Sequence, residues 1–345
     1  MNALLKKLTQ AASQRIPLEI YSKLVPRNRL AFCYHLVSDE RLAHISNVYN
    51  YKTSEMFLDD LNYLMGSFQV VGLKDFLKHP FIGSSSDKPV SMVSFDDGLA
   101  QAYSVAKPIL DKLNLSAAFF LAVDFIDNRS MMYRHKGSLC IEKFENSDES
   151  KQKSICKQVK SKWGRSCPDV DSFCLFILSL RGNRTRIIDE MCEALDVDIN
   201  GYLKAFKPYL STEQIKTLVD AGYDIGAHSM NHLDFNRLSF HEIEHQVVRS
   251  CKYIAEMTGR SPVHFAAPFT LNRTVKEMLK RILRENSVVG TIFGISGVLD
   301  EPPFVQRIIA DSPECAFPGK SNLPSVLKKQ YAKHIFGSFQ KRFAI

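Results

Sequence analysis

Val93-Ser94-Phe95-Asp96-Asp97-Gly98 sets two carboxylates side by side directly after an apolar run. Neighbouring side chains of a strand point to opposite faces, so adjacent acids at its end form either an ordinary turn or a site in which each has its own partner. The surrounding chain alternates short apolar runs with longer amphipathic ones. The apolar runs 30–34, 90–95, 117–123, 223–227, 264–267, 288–293 and 304–309 read as strands, and the segments 54–65, 102–113, 211–221, 239–257 and 274–285 read as helices. This βα succession predicts an α/β fold with a parallel sheet, and the number of units suits a (β/α) barrel, possibly irregular in its closure. Both the Asp-Asp pair and the stretch after 223–227 then fall beyond carboxyl ends of strands, which converge on one face of a barrel.

The 345 residues are 45% apolar and 24% charged, the balance of a globular protein with ample length for a core. Eight cysteines, Cys33, Cys140, Cys156, Cys167, Cys174, Cys192, Cys251 and Cys315, are scattered without C-x-x-C spacing and read as free or buried thiols of a reducing compartment. The opening residues are interrupted by Lys6, Lys7, Gln10 and Arg15, and the longest apolar run spans 117–123, so neither a signal peptide nor a membrane span is indicated. A cytoplasmic location follows as the expectation. Part of the net charge of +8 sits at the two ends, which suits solvated surface or peripheral contact with the anionic inner face of a membrane. No nucleic-acid module accompanies it, so no nucleic-acid partner is expected. The expected organisation is an amphipathic, basic segment over 1–29, a barrel over 30–312 and a basic tail over 313–345, peripheral to the main fold. Within the barrel, 128–210 turns polar and helix-leaning, with a linker-like stretch at 145–150 (ENSDES), and reads as an inserted cap over the barrel mouth.

Gly226-Ala-His-Ser-Met-Asn-His232 carries two histidines four apart. Two imidazoles and one carboxylate make a three-ligand metal site with open positions, and leave the second carboxylate free to act as a base. These residues resemble the polysaccharide deacetylases, the NodB-homology group also called carbohydrate esterase family 4. Its T/S-F-D-D-G pattern is matched by Ser94–Gly98 and its H-S/T-x-x-H pattern by His228–His232, while its R-x-P-Y/F pattern is matched in part by Ala266, Ala267, Pro268 and Phe269. The resemblance covers 30–309 apart from the insertion. It implies a distorted (β/α) barrel and a divalent metal, zinc first and cobalt among the alternatives. It also implies hydrolysis of an N-acyl group, acetyl or formyl, from an amino sugar. Carried over by position, Asp97, His228 and His232 are the metal ligands and Asp96 the general base. The backbone N–H of Phe269, after Pro268, which has none to donate, is the oxyanion donor.

Two parts of the family pattern are missing. Ala266 stands where the family has an arginine, and Arg307 on a late strand is the substitute, as in the branch resembling biofilm glucosamine-polymer deacetylases. The late L-x-x-H histidine is also absent, since His334 lies in the basic tail. His35, in the Tyr34-His35 start similar to that branch, is the candidate general acid. Tyr133 and Arg134, at the opening of the insertion, are candidates for substrate contact by position. The expected substrate is an amino-sugar intermediate of glycan or lipopolysaccharide precursor assembly, nucleotide- or lipid-linked. The competing readings are a catalytically silent sugar-binding or scaffold barrel and an O-acetyl esterase.

Overall fold

The computed structural model describes residues 15–82, 88–311 and 319–343. Its strands are β1 (Arg29–Tyr34), β2 (Gln69–Val70), β3 (Val90–Phe95), β4 (Ala117–Leu121), β5 (Asp224–Ala227), β6 (Val263–Ala266), β7 (Val289–Gly294) and β8 (Val305–Ile309). All paired strands run parallel, in the order β1-β8-β7-β6-β5-β4-β3, and β1 pairs with β3 to close a seven-stranded barrel. The two-residue β2 is an extra pairing at the start of β3, and neither it nor the short helix Leu73–Lys78 after it was expected from the sequence. The barrel is loosely laced on one side, where β5 meets β6 through the single pair Ala227 and Phe265.

Strand parity divides the core. Leu30, Phe32, Tyr34, Val93, Phe95, Ala117, Phe119 and Leu121 join the cluster formed with the surrounding helices, whereas Ala31, Met92, Ala118, Phe120, Ala266, Phe293 and Val305 fill the barrel interior. Continued by twos, the interior positions lead to Cys33 and His35 on β1, Ser94 and Asp96 on β3, and Arg307 on β8. The same alternation carries β5 from Gly226 to His228. Gly226 itself has no alternative, because a Cβ there would stand 2.5 Å from the Phe120 ring and 2.7 Å from the His264 carbonyl.

The insertion is five helices, Tyr133–Glu145, Glu149–Trp163, Val170–Ser179, Arg186–Ala194 and Ile199–Phe206, with a core of its own built on Ile141, Phe144, Val159, Phe173, Ile188 and Met191. The expected linker at 145–150 is instead a tight turn: Asp148 caps the following helix by accepting a hydrogen bond from the Lys151 N–H. Leu36, Leu99, Phe125, Met132, Leu139 and Tyr209 form a second apolar layer that fixes the insertion onto the barrel mouth. The seven described cysteines are free thiols, Cys315 lies outside the described residues, and no described helix is long and apolar enough to cross a membrane.

The segment after Pro318 is not peripheral. Leu323, Leu327 and Tyr331 of the helix Leu323–Phe343 are buried in the main core, and Tyr331 stacks on Tyr21 of the helix Leu18–Leu24. Ahead of that helix, Ser321 donates to Asp60 at 2.6 Å and Asn322 accepts from Lys52 at 2.8 Å. Lys52 and Asp60 are fully buried and bonded to each other, and Tyr34 of β1 also donates to Asp60. Net charge at the chain end could not reveal this, because apolar positions at helical spacing, rather than the intervening lysines, decide docking. Asp60→Ala strands a buried ammonium and is expected to lower unfolding free energy by about 3–5 kcal/mol in urea titration. The Lys52→Met/Asp60→Leu double variant should lose much less.

Candidate active site

Asp96 and Asp97 face the same cavity because the backbone breaks alternation between them. Asp96 continues β3, its N–H bonded to the Tyr34 carbonyl at 2.9 Å. Asp97 then adopts φ 72° and Gly98 φ 73°, a left-handed turn that aspartate and glycine tolerate and that swings the second carboxylate inward. After β5 a similar device operates. Ser229 and His232 have φ 68° and 57°, the Ser229 hydroxyl accepts from the His232 N–H at 2.9 Å, and the two histidine rings come to 4.9 Å. The histidine pair therefore lies on a loop, held from outside by Gln246, whose side chain accepts from the Met230 and Asn231 N–H groups. Ser229 thus supports the loop.

The cavity at this mouth measures about 330 Å³ and is lined by His35, Asp96, Asp97, Arg134, His228, His232 and Phe269, among others. Asp97 Oδ1 lies 3.4 Å from Nε2 of both His228 and His232, and the three side chains could together hold a metal ion. His228 Nδ1 lies 2.8 Å from the Ala266 carbonyl and donates to it, which leaves Nε2 as a lone pair aimed at the cluster. Asp97 Oδ1 and His232 Nδ1 are buried and accept or donate no hydrogen bond among the described residues. Burial, opposed by Asp97 and assisted by His228, pushes His232 down to about 3, so its imidazole is neutral. Burial raises Asp97, but His232, His228 and His35 outweigh it and hold the carboxyl well below its usual range. Two imidazoles, that of His232 neutral, converging with a carboxylate fit a divalent cation.

Asp96 belongs to a different partnership. Arg307, fully buried, grips it with two parallel bonds, Nη1 to Oδ1 and Nη2 to Oδ2, each 2.7 Å, and Nη1 also reaches Ser94 at 3.1 Å. The guanidinium is sandwiched by aromatic rings, 5.1 Å from the centre of Phe120 and 5.9 Å from that of Phe293. Burial raises the Asp96 carboxyl, but Arg307 and then His228 draw it down to about 2. The arginine missing at Ala266 is thus supplied from β8. Cys33, His35 and Asp96 form a second group with metal-ligand spacing, yet Arg307 already occupies both Asp96 oxygens and burial pushes the Cys33 thiol well up. That group is a poor cation site.

His35 stands beyond β1 and pairs with Asp311, which accepts from the His35 N–H at 2.8 Å and bonds Nδ1 at 2.5 Å. Burial lowers the imidazole, but Asp311 overrides it and raises His35 to about 9. Asp311 was not anticipated, since nothing local marks it; nor was Tyr49, whose hydroxyl donates to Asp97 Oδ2 at 3.2 Å. Phe269 lies at the rim with φ 57°, a strained conformation for an aromatic residue, its ring 4.8 Å from that of His232. Arg134 lines the cavity as expected. Tyr133 does not, and lines a neighbouring cavity with Phe125, Arg129 and Asn231 instead, because adjacent residues of a helix face different directions. Pro268 also lies outside the lining, between Ala267 and Phe269, which belong to it. His334, on the C-terminal helix, neighbours Arg27.

Fold and site together define a seven-stranded (β/α) barrel with an Asp-His-His cluster beside an arginine-held aspartate. The polysaccharide deacetylase family model matches residues 183–282, which include the histidine pair, and the family's first pattern lies upstream at Ser94–Gly98. The peptidoglycan deacetylase of Helicobacter pylori is 30% identical over 88 residues, 21% of this chain and 30% of that protein. The match thus spans less than a third of that relative's length. Among solved structures, the Streptococcus pyogenes deacetylase PplD in complex with acetate superposes with a TM-score of 0.52 at 14% identity, covering 88% of this chain and 97% of the other. BC0361, a polysaccharide deacetylase from Bacillus cereus, gives 0.50 at 13% identity over 86% and 68%. Over residues 183–282 the chain is thus similar to the polysaccharide deacetylase family, and in fold to solved deacetylases.

Since Asp96 is depressed in the folded state, its pairing with Arg307 stabilises the protein above the unfolded carboxyl value near 3.9 and that contribution fades as pH falls through about 2. Arg307→Ala is expected to cost about 3–5 kcal/mol at neutral pH and to raise the Asp96 carboxyl. Urea titration together with carbon NMR of labelled aspartate would check both, and an unmoved Asp96 resonance would dissociate the pair.

Proposed function

We propose that this barrel is a metal-dependent hydrolase that removes an N-acyl group, acetyl or formyl, from an amino sugar. The observation that carries the reading is the convergence of Asp97 Oδ1, His228 Nε2 and His232 Nε2 beside an Asp96 that Arg307 keeps ionised. Asp97, His228 and His232 would hold the ion, zinc or a neighbour such as cobalt. Bound there, a divalent ion polarises an acyl carbonyl and makes water more acidic.

The chain's own groups divide the proton work. Asp96 Oδ2, 3.9 Å from His228 Nε2, is the oxygen nearest the ligands and accepts the proton of the attacking water. Arg307 fixes the orientation of that oxygen and keeps it charged. His35, protonated at neutral pH through Asp311, donates to the leaving amine, a proper task for a group raised to about 9. The Phe269 N–H, held in its strained backbone, supplies an oxyanion donor. The guanidinium on β8 fills one of the two gaps, the missing arginine and the missing late histidine, that prompt the silent-barrel reading. The peptidoglycan deacetylase relative supports sugar-bound acetyl as the first acyl group to try.

Two measurements test this. Metal analysis by mass spectrometry should find about one equivalent of divalent ion in the wild type and in Asp96→Asn, and almost none in Asp97→Ala, His228→Ala or His232→Ala. Asp96→Asn should release acetate from N-acetylglucosamine oligomers at least about 100-fold more slowly. The acid role carries a pH signature. Turnover should fall as pH rises through about 9, where His35 loses its proton. Asp311→Asn, which lowers that value, should move the limb towards neutrality; a limb that stays in place would remove His35 from the mechanism.

A further inference from the structure

The insertion brings two guanidinium groups to the rim of the catalytic cavity. Arg134 lies in the first turn of the helix Tyr133–Glu145 and lines the cavity with Asp97 and His232. Arg181 follows the helix Val170–Ser179. Both guanidinium carbons stand 5.6 Å from the centre of the Phe269 ring, the ring that touches His232. Among the described residues neither makes an ion pair with a carboxylate. Arg181 is anchored by the Leu178 and Leu180 carbonyls at 2.7 and 2.9 Å, whereas Arg134 has only a 3.4 Å bond to the Val48 carbonyl and a buried Nε with no partner. Burial and then the charge of Arg181 hold Arg134 below its ordinary value.

Two like charges gathered on one aromatic ring, one of them largely withdrawn from water, cost free energy that the ring face and the nearby Asp97 charge oppose but that leaves Arg134 below its ordinary value. An anion completes the arrangement. A guanidinium fork matches two oxygens, so a single carboxylate satisfies one fork, while a phosphate or diphosphate carries oxygens and charge enough for both. The helix that carries Arg134 begins at the cavity, so the positive end of its dipole adds to the same field. The insertion's separate core holds both elements in place, which explains why a cap of five helices is built over the mouth.

We propose that Arg134 and Arg181 form a phosphate subsite and that the substrate is an amino sugar bearing a phosphate or diphosphate group, whose N-acyl end enters the cavity while its phosphate rests against Phe269. This rests on the deacylase reading of the cavity. The carrier beyond the phosphate is a nucleoside or a polyprenyl lipid, both of which present the same diphosphate.

Calorimetric titration of the zinc-loaded chain with N-acetylglucosamine 1-phosphate and with N-acetylglucosamine tests the subsite without relying on turnover. The sugar phosphate is expected to bind the wild type at least about tenfold more tightly, the equivalent of one charge-assisted hydrogen bond. The Arg134→Gln/Arg181→Gln double variant should erase the difference, and the double lysine variant should keep part of it. Equal binding of both sugars to the wild type, or a preference that survives in the glutamine variant because phosphate sits on the metal, overturns the proposal. Should the glutamine variant not fold, the wild-type preference must shrink as salt rises, and an unchanged preference also overturns it. Uridine diphosphate N-acetylglucosamine and micellar polyprenyl diphosphate N-acetylglucosamine then identify the carrier by the tighter binding, while failure of both to exceed the neutral sugar counts against the subsite. Absence of acyl release from every probe, with the binding preference intact, would sink the deacylase reading and leave the phosphate subsite standing.

Discussion

A guanidinium buried in the middle of a barrel dictates much of what surrounds it. Arg307 lies between the Phe120 and Phe293 rings with Asp96 across two short bonds and Ser94 beside it. An unpaired charge at that depth is prohibitive, so the carboxylate, the hydroxyl and the aromatic faces form one unit. The neighbouring interior positions Ala31 and Ala266 are small, and the Gly294 backbone carbonyl of β7 accepts from Arg307 Nε at 3.4 Å. Placing the arginine on β8 leaves β6 free to carry alanine, and the His228 ring anchors on the carbonyl of that alanine.

Charges alternate across the cavity floor. Arg307 balances Asp96, His35 balances Asp311, and Asp97 with the His228 and His232 imidazoles lies between the two pairs. Each pair holds its titrating member in the charged form: Asp96 down to about 2 and His35 up to about 9. The adjacent acids of the opening stretch therefore serve different partners, and the left-handed turn at Asp97 and Gly98 permits it.

The insertion works as a second body docked on the first. Its helices close around their own apolar core, and the layer from Leu36 to Tyr209 couples it to the barrel. That rigidity matters for Arg134 and Arg181, because guanidinium groups carried on mobile loops would drift apart under their own repulsion.

Periodicity and spacing made the barrel strands legible almost to the residue, since alternation within a strand and helix caps such as Ser211 and Ser239 are local properties. The residues that converge at the barrel mouth were legible too, because each lies within a few residues of a strand end: Asp96 and Asp97 after β3, His228 and His232 after β5. Asp311, Tyr49 and Gln246 carry no local signature; they matter only because folding brings positions 15 to 276 residues apart within bonding distance. The same holds for the C-terminal helix, read as a basic tail until Leu323, Leu327 and Tyr331 are seen buried. Local sequence thus sets which side chains stand at the strand ends and the order in which the chain delivers them. Only the tertiary structure decided how those groups are charged and which partner each one keeps, because burial and the nearest opposite charge, not chain neighbours, set both.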